Sequence, residues 1–186
     1  MGGLLQRFFE LAFNGLAALG FQDYSEMNKK LGVQWEASRL ITLGDGALIY
    51  SVIKTGQYPV DLKKREFAYS GLGVVANIYL SPEYTGGVSD PLYNMRPSQG
   101  QPETQLLSAI TLVNGNKGTK CGATIYAIGN TSNQGQGSTS LAYATNRILE
   151  PNSEYLLEIL SLSGQDVAAR IEFYEGNLDL PRKGFV

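Results

Sequence analysis

The chain contains no histidine at all and only one cysteine, Cys121, in 186 residues. Without imidazole it has no side chain whose ordinary pKa lies near neutrality, no use of the commonest metal ligand, and no Ser-His or Cys-His nucleophile pair. A single cysteine excludes an intramolecular disulfide and any zinc site built from several thiolates. Cys121 opens the run Cys-Gly-Ala-Thr-Ile-Tyr-Ala-Ile and reads as a small buried hydrophobe rather than a reactive thiol. Such cysteine usage fits synthesis in a reducing cytoplasm.

Charge of either sign is also scarce. Fifteen Lys and Arg against seventeen Asp and Glu give a formal net charge of -2, which argues against a nucleic-acid partner held by phosphate neutralisation. The one basic run, Lys63-Lys64-Arg65, follows Asp61-Leu62 and precedes Glu66, and it is expected to be a solvated turn or strand edge. Unbroken apolar runs are missing too. Residues 4–19 come nearest, but Arg7, Glu10 and Asn14 interrupt them, so neither an export signal nor a membrane span is expected. The opening Met-Gly-Gly-Leu-Leu-Gln lacks the Ser or Thr of a myristoylation motif.

What is present is a chain with 43% hydrophobic residues, enough for one domain with an appendage. Residues 4–20 read as a helix with a narrow polar stripe, Arg7, Glu10 and Asn14, and Gly20 as its stop. Phe8, Phe9, Phe13 and Leu16 lie on its broad apolar face. That face needs a cover, and one Arg is too few for a membrane-surface helix, so protein is the expected cover, either another subunit or the core of the chain's own domain. A second helix is expected over 25–31, capped by Ser25 and ended by Gly32. Beyond Trp35 the period becomes that of strands, with a hairpin over 40–53 turning at Gly44-Asp45-Gly46.

Further strands are expected over 74–80, 106–113, 121–128, 154–162 and 167–174. In the last, Val167, Ala169, Ile171 and Phe173 alternate with a wet face of Asp166, Ala168, Arg170, Glu172 and Tyr174. Short strands without βαβ units predict a mainly β fold, an antiparallel, jelly-roll-like β-sandwich, with an N-terminal helical arm. The division is a helical arm over 1–35, the sandwich over 36–177 and an extended tail over 178–186. Residues 81–105 carry Pro82, Pro91, Pro97, Pro102 and Gly86-Gly87 and are expected to be an irregular loop, functional or at an interface. Residues 129–138 read as a hairpin tip.

Motif tests return no cofactor or metal site. Gly115-Asn-Lys-Gly-Thr-Lys lacks the Gly-Lys-Ser/Thr ending of a phosphate loop, residues 129–137 miss the dinucleotide pattern, and no calcium-loop spacing occurs. The chemistry open to a chain without histidine is a carboxylate pair. Glu154, Glu158, Glu172 and Glu175 have the right type, but they are expected on exposed strand faces, so no catalytic residue is assigned. Eleven tyrosines, among them Tyr58, Tyr69, Tyr79, Tyr84 and Tyr93, suit either a sugar-binding platform or a protein interface.

Four runs carry a resemblance: Ile53-Lys-Thr-Gly-Gln-Tyr-Pro-Val-Asp-Leu-Lys63; Tyr84-Thr-Gly-Gly-Val-Ser-Asp-Pro-Leu-Tyr-Asn94; Pro151-Asn-Ser-Glu-Tyr-Leu-Leu-Glu158; and the stretch from Asp166-Val-Ala-Ala-Arg to Asp179-Leu-Pro181. Over about residues 50–181 the chain resembles small structural proteins of tailed-bacteriophage virions. The resemblance implies a non-enzymatic β-sandwich subunit, made in the host bacterial cytoplasm and built into the virion. It would decorate or cement the capsid, the alternatives being a tail- or fibre-associated adaptor and a receptor- or carbohydrate-binding module. Its expected partners are copies of itself in a homo-oligomer and other virion proteins, of the major capsid or of the tail and portal, with no nucleic acid and no membrane. The interface residues expected are Phe8, Phe9, Phe13, Leu16, Tyr84, Tyr93, Phe185 and Val186.

Overall fold

The computed structural model describes residues 24–98, 100–129 and 139–176. The arm helix expected over 4–20 and the tail expected over 178–186 lie outside them, and with them Phe8, Phe9, Phe13, Leu16, Phe185 and Val186. The described chain begins with one helix, α1 (Tyr24–Leu31). Gly32, at φ 72°, stops it as the sequence predicts: its N–H donates to the Lys29 carbonyl and that of Val33 to the Asn28 carbonyl, the paired closure of a Schellman motif.

Twelve strands follow: β1 (Gln34–Leu43), β2 (Leu48–Lys54), β3 (Val60–Tyr69), β4 (Gly73–Leu80), β5 (Tyr84–Asp90), β6 (Tyr93–Asn94), β7 (Gln105–Leu112), β8 (Thr119–Lys120), β9 (Ile125–Ile128), β10 (Thr139–Leu149), β11 (Glu154–Ser161) and β12 (Gln165–Glu175). They form two antiparallel sheets that pack as a sandwich. The first runs β10-β3-β12-β1-β6; the second runs β5-β7-β2-β11-β4-β8, with β9 beside β8 on the outer side of β4. Among the described residues no helix is long and apolar enough to cross a membrane.

Inward-facing side chains of both sheets meet in two clusters. One gathers Trp35, Ile53, Leu62, Ile78, Tyr155, Leu157, Ile171 and Phe173. The other gathers Leu43, Phe67, Tyr69, Val74, Ala127, Ile159 and Val167. This is the alternation read from the β12 sequence, where Val167, Ile171 and Phe173 are buried. Tyr174 departs from it. It was expected on the wet face and is buried, because the segment from α1 into β1 lies against that end of β12: Tyr174 pairs with Gln34, and Lys29 and Gln34 both reach Glu172.

Several boundaries need correction. The 40–53 stretch is not a hairpin: β1 pairs with β12 and β6 in the first sheet, whereas β2 pairs with β11 and β7 in the second. Gly44-Asp45-Gly46 is therefore a corner between sheets, stitched to β11 by Gly46 N–H donating to the Ser161 carbonyl at 3.1 Å. Likewise β9 and β10, the strands on either side of the hairpin tip expected over 129–138, belong to different sheets and do not pair with each other; 130–138 lie outside the described residues. The expected 121–128 strand is reduced to 125–128. Cys121 stands before it, half-buried against the larger core cluster. The strand period begins at Gln34, and Gln34 and Trp35 are both buried, so a cut after residue 35 removes part of the core.

The 81–105 segment is not irregular throughout, since it contains β5 and β6. Gly86 and Gly87 sit at φ 73° and 118° within β5, where an edge strand tolerates them. Opposite them, Ala109 of β7 has φ 53°. The ladder from β7 to β2 ends at Leu107, while the ladder to β5 continues to Leu112. Beyond this kink the β5-β7 ribbon folds over the outer face of the second sheet, where Ile110, Leu112 and Tyr84 pack on Val52 and Leu156.

Gly73 has a specific structural reason. At φ 112°, a Cβ there would collide with the Ala127 carbonyl oxygen of the paired strand β9. Gly73→Ala should cost about 2–3 kcal/mol by urea denaturation, whereas Gly44→Ala, with nothing near its Cβ position, should change stability little.

Candidate functional site

Two of the carboxylates and two of the tyrosines singled out in the sequence, Glu154, Glu158, Tyr79 and Tyr84, come together on the outer face of the second sheet. Strand alternation sends Glu154, Leu156 and Glu158 of β11 outward, opposite Lys54, Val52 and Tyr50 of β2; on the other side Leu156 and Glu158 face Tyr79 and Asn77 of β4. Under the β5-β7 ribbon, Val52 and Leu156 are fully buried, with Tyr50, Tyr79 and Tyr84 packed around them. This placement makes Glu158 a buried residue, 3% exposed, contrary to the exposed position expected.

Lys117, on the segment that crosses from β7 to β8, ion-pairs with Glu158 and lies between the rings of Tyr50 and Tyr79, 5.9 and 5.8 Å from their centroids. Asn77 Nδ2 and the Tyr79 hydroxyl donate to Glu158 Oε1 at 2.9 and 3.2 Å. Burial pushes the Glu158 carboxyl up, but the bonds from Lys117, Asn77 and Tyr79 and the Lys117 charge outweigh it and hold the pKa below the ordinary value. The bond to Glu158 holds the Lys117 ammonium above its usual value. Burial, then the Glu158 charge, raises the Tyr79 phenol.

The other three carboxylates are engaged as well. Glu154 accepts from the Tyr84 hydroxyl at 3.2 Å and pairs with Lys54 at 3.2 Å. Glu172 takes Gln34 and Lys29. Glu175, expected to be exposed, is buried and accepts the backbone N–H groups of Glu103 and Thr104 at 2.9 and 3.0 Å. A glycosidase needs one carboxyl free to donate a proton and one free to attack or activate water. Here each carboxylate already serves as acceptor for a fixed donor. Among the described residues no group of three or more acidic or cysteine side chains could hold a metal ion.

The expected interface tyrosines separate. Tyr84, on the ribbon itself, is half-buried against the second sheet, whereas Tyr93 is 57% exposed on β6, opposite Glu36 in the other sheet. Tyr58 is exposed and Tyr69 is buried between the sheets, so the five tyrosines form no single platform.

The residue that sequence reasoning missed is Arg65. The Lys63-Lys64-Arg65 run lies within β3, a strand flanked on both sides by β10 and β12, and is neither turn nor edge. Arg65 is 3% exposed and projects between the sheets, its guanidinium 5.3 Å from the centre of the Phe67 ring. Its Nη1 donates a long bond, 3.4 Å, to the Asn77 carbonyl across the sandwich. Burial lowers its pKa to about 10, so it is charged at neutral pH. Arg65, Arg39 and Asp90 share a cleft between the sheets with Ile49, Leu157 and Ile171.

Neither a family model, nor a curated protein, nor a solved structure matches the chain in comparisons with known proteins.

Proposed function

We propose that this protein is a non-enzymatic structural subunit that joins a larger assembly through its strand edges. The observation that carries the reading is the β1 edge of the first sheet. β6 pairs only with Trp35 and Glu36, so over residues 37–43 the side of β1 away from β12 has no strand against it among the described residues. Leu40 on this strand is 73% exposed. An open edge with an exposed apolar side chain is a template for pairing with another chain.

The strand order supports the finer reading of the sandwich as jelly-roll-like. The sheets contain the series β1-β12-β3-β10 and β2-β11-β4-β9, in which the early strands pair with the late ones and the chain alternates between sheets except from β4 to β9; β5 to β8 are an insertion. Jelly rolls serve in viral capsids and in lectins, an analogy of fold that fits the sequence resemblance to bacteriophage virion proteins. On that resemblance the subunit decorates or cements a capsid, and is made in the bacterial cytoplasm and carried in the virion. The lectin-like alternative has less support, because Tyr50, Tyr79 and Tyr84 pack against the sheet's own side chains and not around an open concavity.

A panel of glycan, peptide and ester substrates checks the non-enzymatic part. No turnover is expected. Hydrolysis that disappears in a Glu158→Gln or Glu154→Gln variant would overturn it.

A further inference from the structure

The cleft between the sheets has features that assembly does not require. Its walls come from inward side chains of β1, β2, β3, β11 and β12, mainly Ile41, Ile49, Phe67, Leu157, Ile159 and Ile171, and its volume is about 50 Å³. A water-sized group needs about 10–15 Å³ by this measure, so the space suits a molecule of a few heavy atoms. Into this apolar slot project two guanidinium groups. Arg65 is 97% buried, and among the described residues no carboxylate lies within ion-pair distance of it. Arg39 has a buried Nη1 with no hydrogen-bond partner among the described residues. Buried cations are ordinarily paired, and a guanidinium fork matches a carboxylate.

The other charged groups on the cleft narrow the choice. Arg170 is taken by Glu36 and Glu66. Asp90 faces the cleft and its Oδ1 accepts from the Ser108 hydroxyl at 2.8 Å. Two guanidinium charges against one carboxylate leave a single positive charge, in a slot whose remaining surface is aliphatic and aromatic. The geometry points to a binding site for a small aliphatic monocarboxylate, its carboxylate between Arg39 and Arg65 and its alkyl part against Ile49, Leu157 and Ile171. A dianion would meet Asp90 uncompensated, and an inorganic anion would leave the apolar walls unused. The site is independent of the β1 edge contact proposed above: it concerns the interior, and binding there can be present or absent whatever the oligomeric state.

The test is calorimetric titration of the full chain with sodium butyrate, against sodium chloride at equal ionic strength. Saturable binding is expected, with butylammonium and inorganic phosphate binding at least tenfold more weakly. Arg39→Met and Arg65→Met should each weaken butyrate binding about tenfold or more, as expected for loss of a charge-assisted contact. Both variants remain informative through their melting curves, because removing a buried unpaired charge should leave cooperative unfolding intact; if Arg65→Met does not fold, Arg39→Met alone decides. Asp90→Asn should tighten butyrate binding and admit succinate. Absence of saturation with butyrate, equal binding of phosphate, or unchanged affinity in a folded arginine variant would overturn the assignment.

Discussion

Replacing Phe173 with alanine should lower the free energy of unfolding by about 3–5 kcal/mol, a large share of the roughly 5–15 kcal/mol available to a domain. Phe173 is 1% exposed in the larger inter-sheet cluster. Its strand β12 is held by β3 on one side and β1 on the other, and Trp35 is its direct partner across the ladder. With neighbours on both sides and the second sheet facing it, the backbone has little freedom to close the cavity. Urea denaturation measures the effect. A loss under about 1.5 kcal/mol would mean that the two sheets do not pack there as described.

The second large effect concerns the pair under the ribbon. Lys117→Met should cost about 1–3 kcal/mol at pH 7, because it leaves the Glu158 carboxylate buried without its cation; Asn77 and Tyr79 still donate to it, and Lys117 is itself partly exposed, which keeps the cost in that range. The double variant Glu158→Gln/Lys117→Met should recover most of the loss, since a neutral amide oxygen can accept the same two bonds. The sign with pH follows from the lowered carboxyl pKa. The native contribution of Glu158 is complete above the unfolded carboxyl value of about 4.3 and is lost as pH falls through the folded one. The gap between wild type and Lys117→Met should therefore narrow as the pH is lowered through 4. Chemical denaturation at pH 7 and at pH 4 checks it, and a gap that widens in acid would contradict the assignment of the pair.

Legibility in the sequence followed the regularity of the alternation. The strands over 74–80 and 167–174 could be read because apolar residues recur at every second position without interruption, and the one over 154–162 because it is a short, mostly apolar run. β3 could not. Its ladders skip Lys63, pairing Lys64 with Glu172 and then Leu62 with Phe173, so Val60 and Leu62 face inward before the bulge, and Arg65, Phe67 and Tyr69 after it. One extra residue reverses the parity, and the three cations beside it complete the disguise. The same bulge turns Arg65, and not Lys64, into the interior. β10 was hidden in the same way, by a register shift between Ala144 and Arg147. The buried state of Glu158 had no local signal at all, because it depends on a ribbon from residues 84–112 and a lysine 41 positions away folding over its face. The 44–46 corner was misread for a related reason: two β-prone runs joined by glycines look alike whether the chain turns back within a sheet or passes to the other one.

The claim that this sandwich functions by joining other chains is tested most directly by sedimentation velocity of the full chain over a range of concentrations, beside a Leu40→Lys variant that places a charge on the open β1 edge. The account predicts that the wild type sediments as an oligomer, and that Leu40→Lys shifts it to the 20.2 kDa monomer with its melting curve unchanged. A wild-type chain that stays monomeric at every concentration, or a folded Leu40→Lys variant that oligomerises as the wild type does, would contradict it.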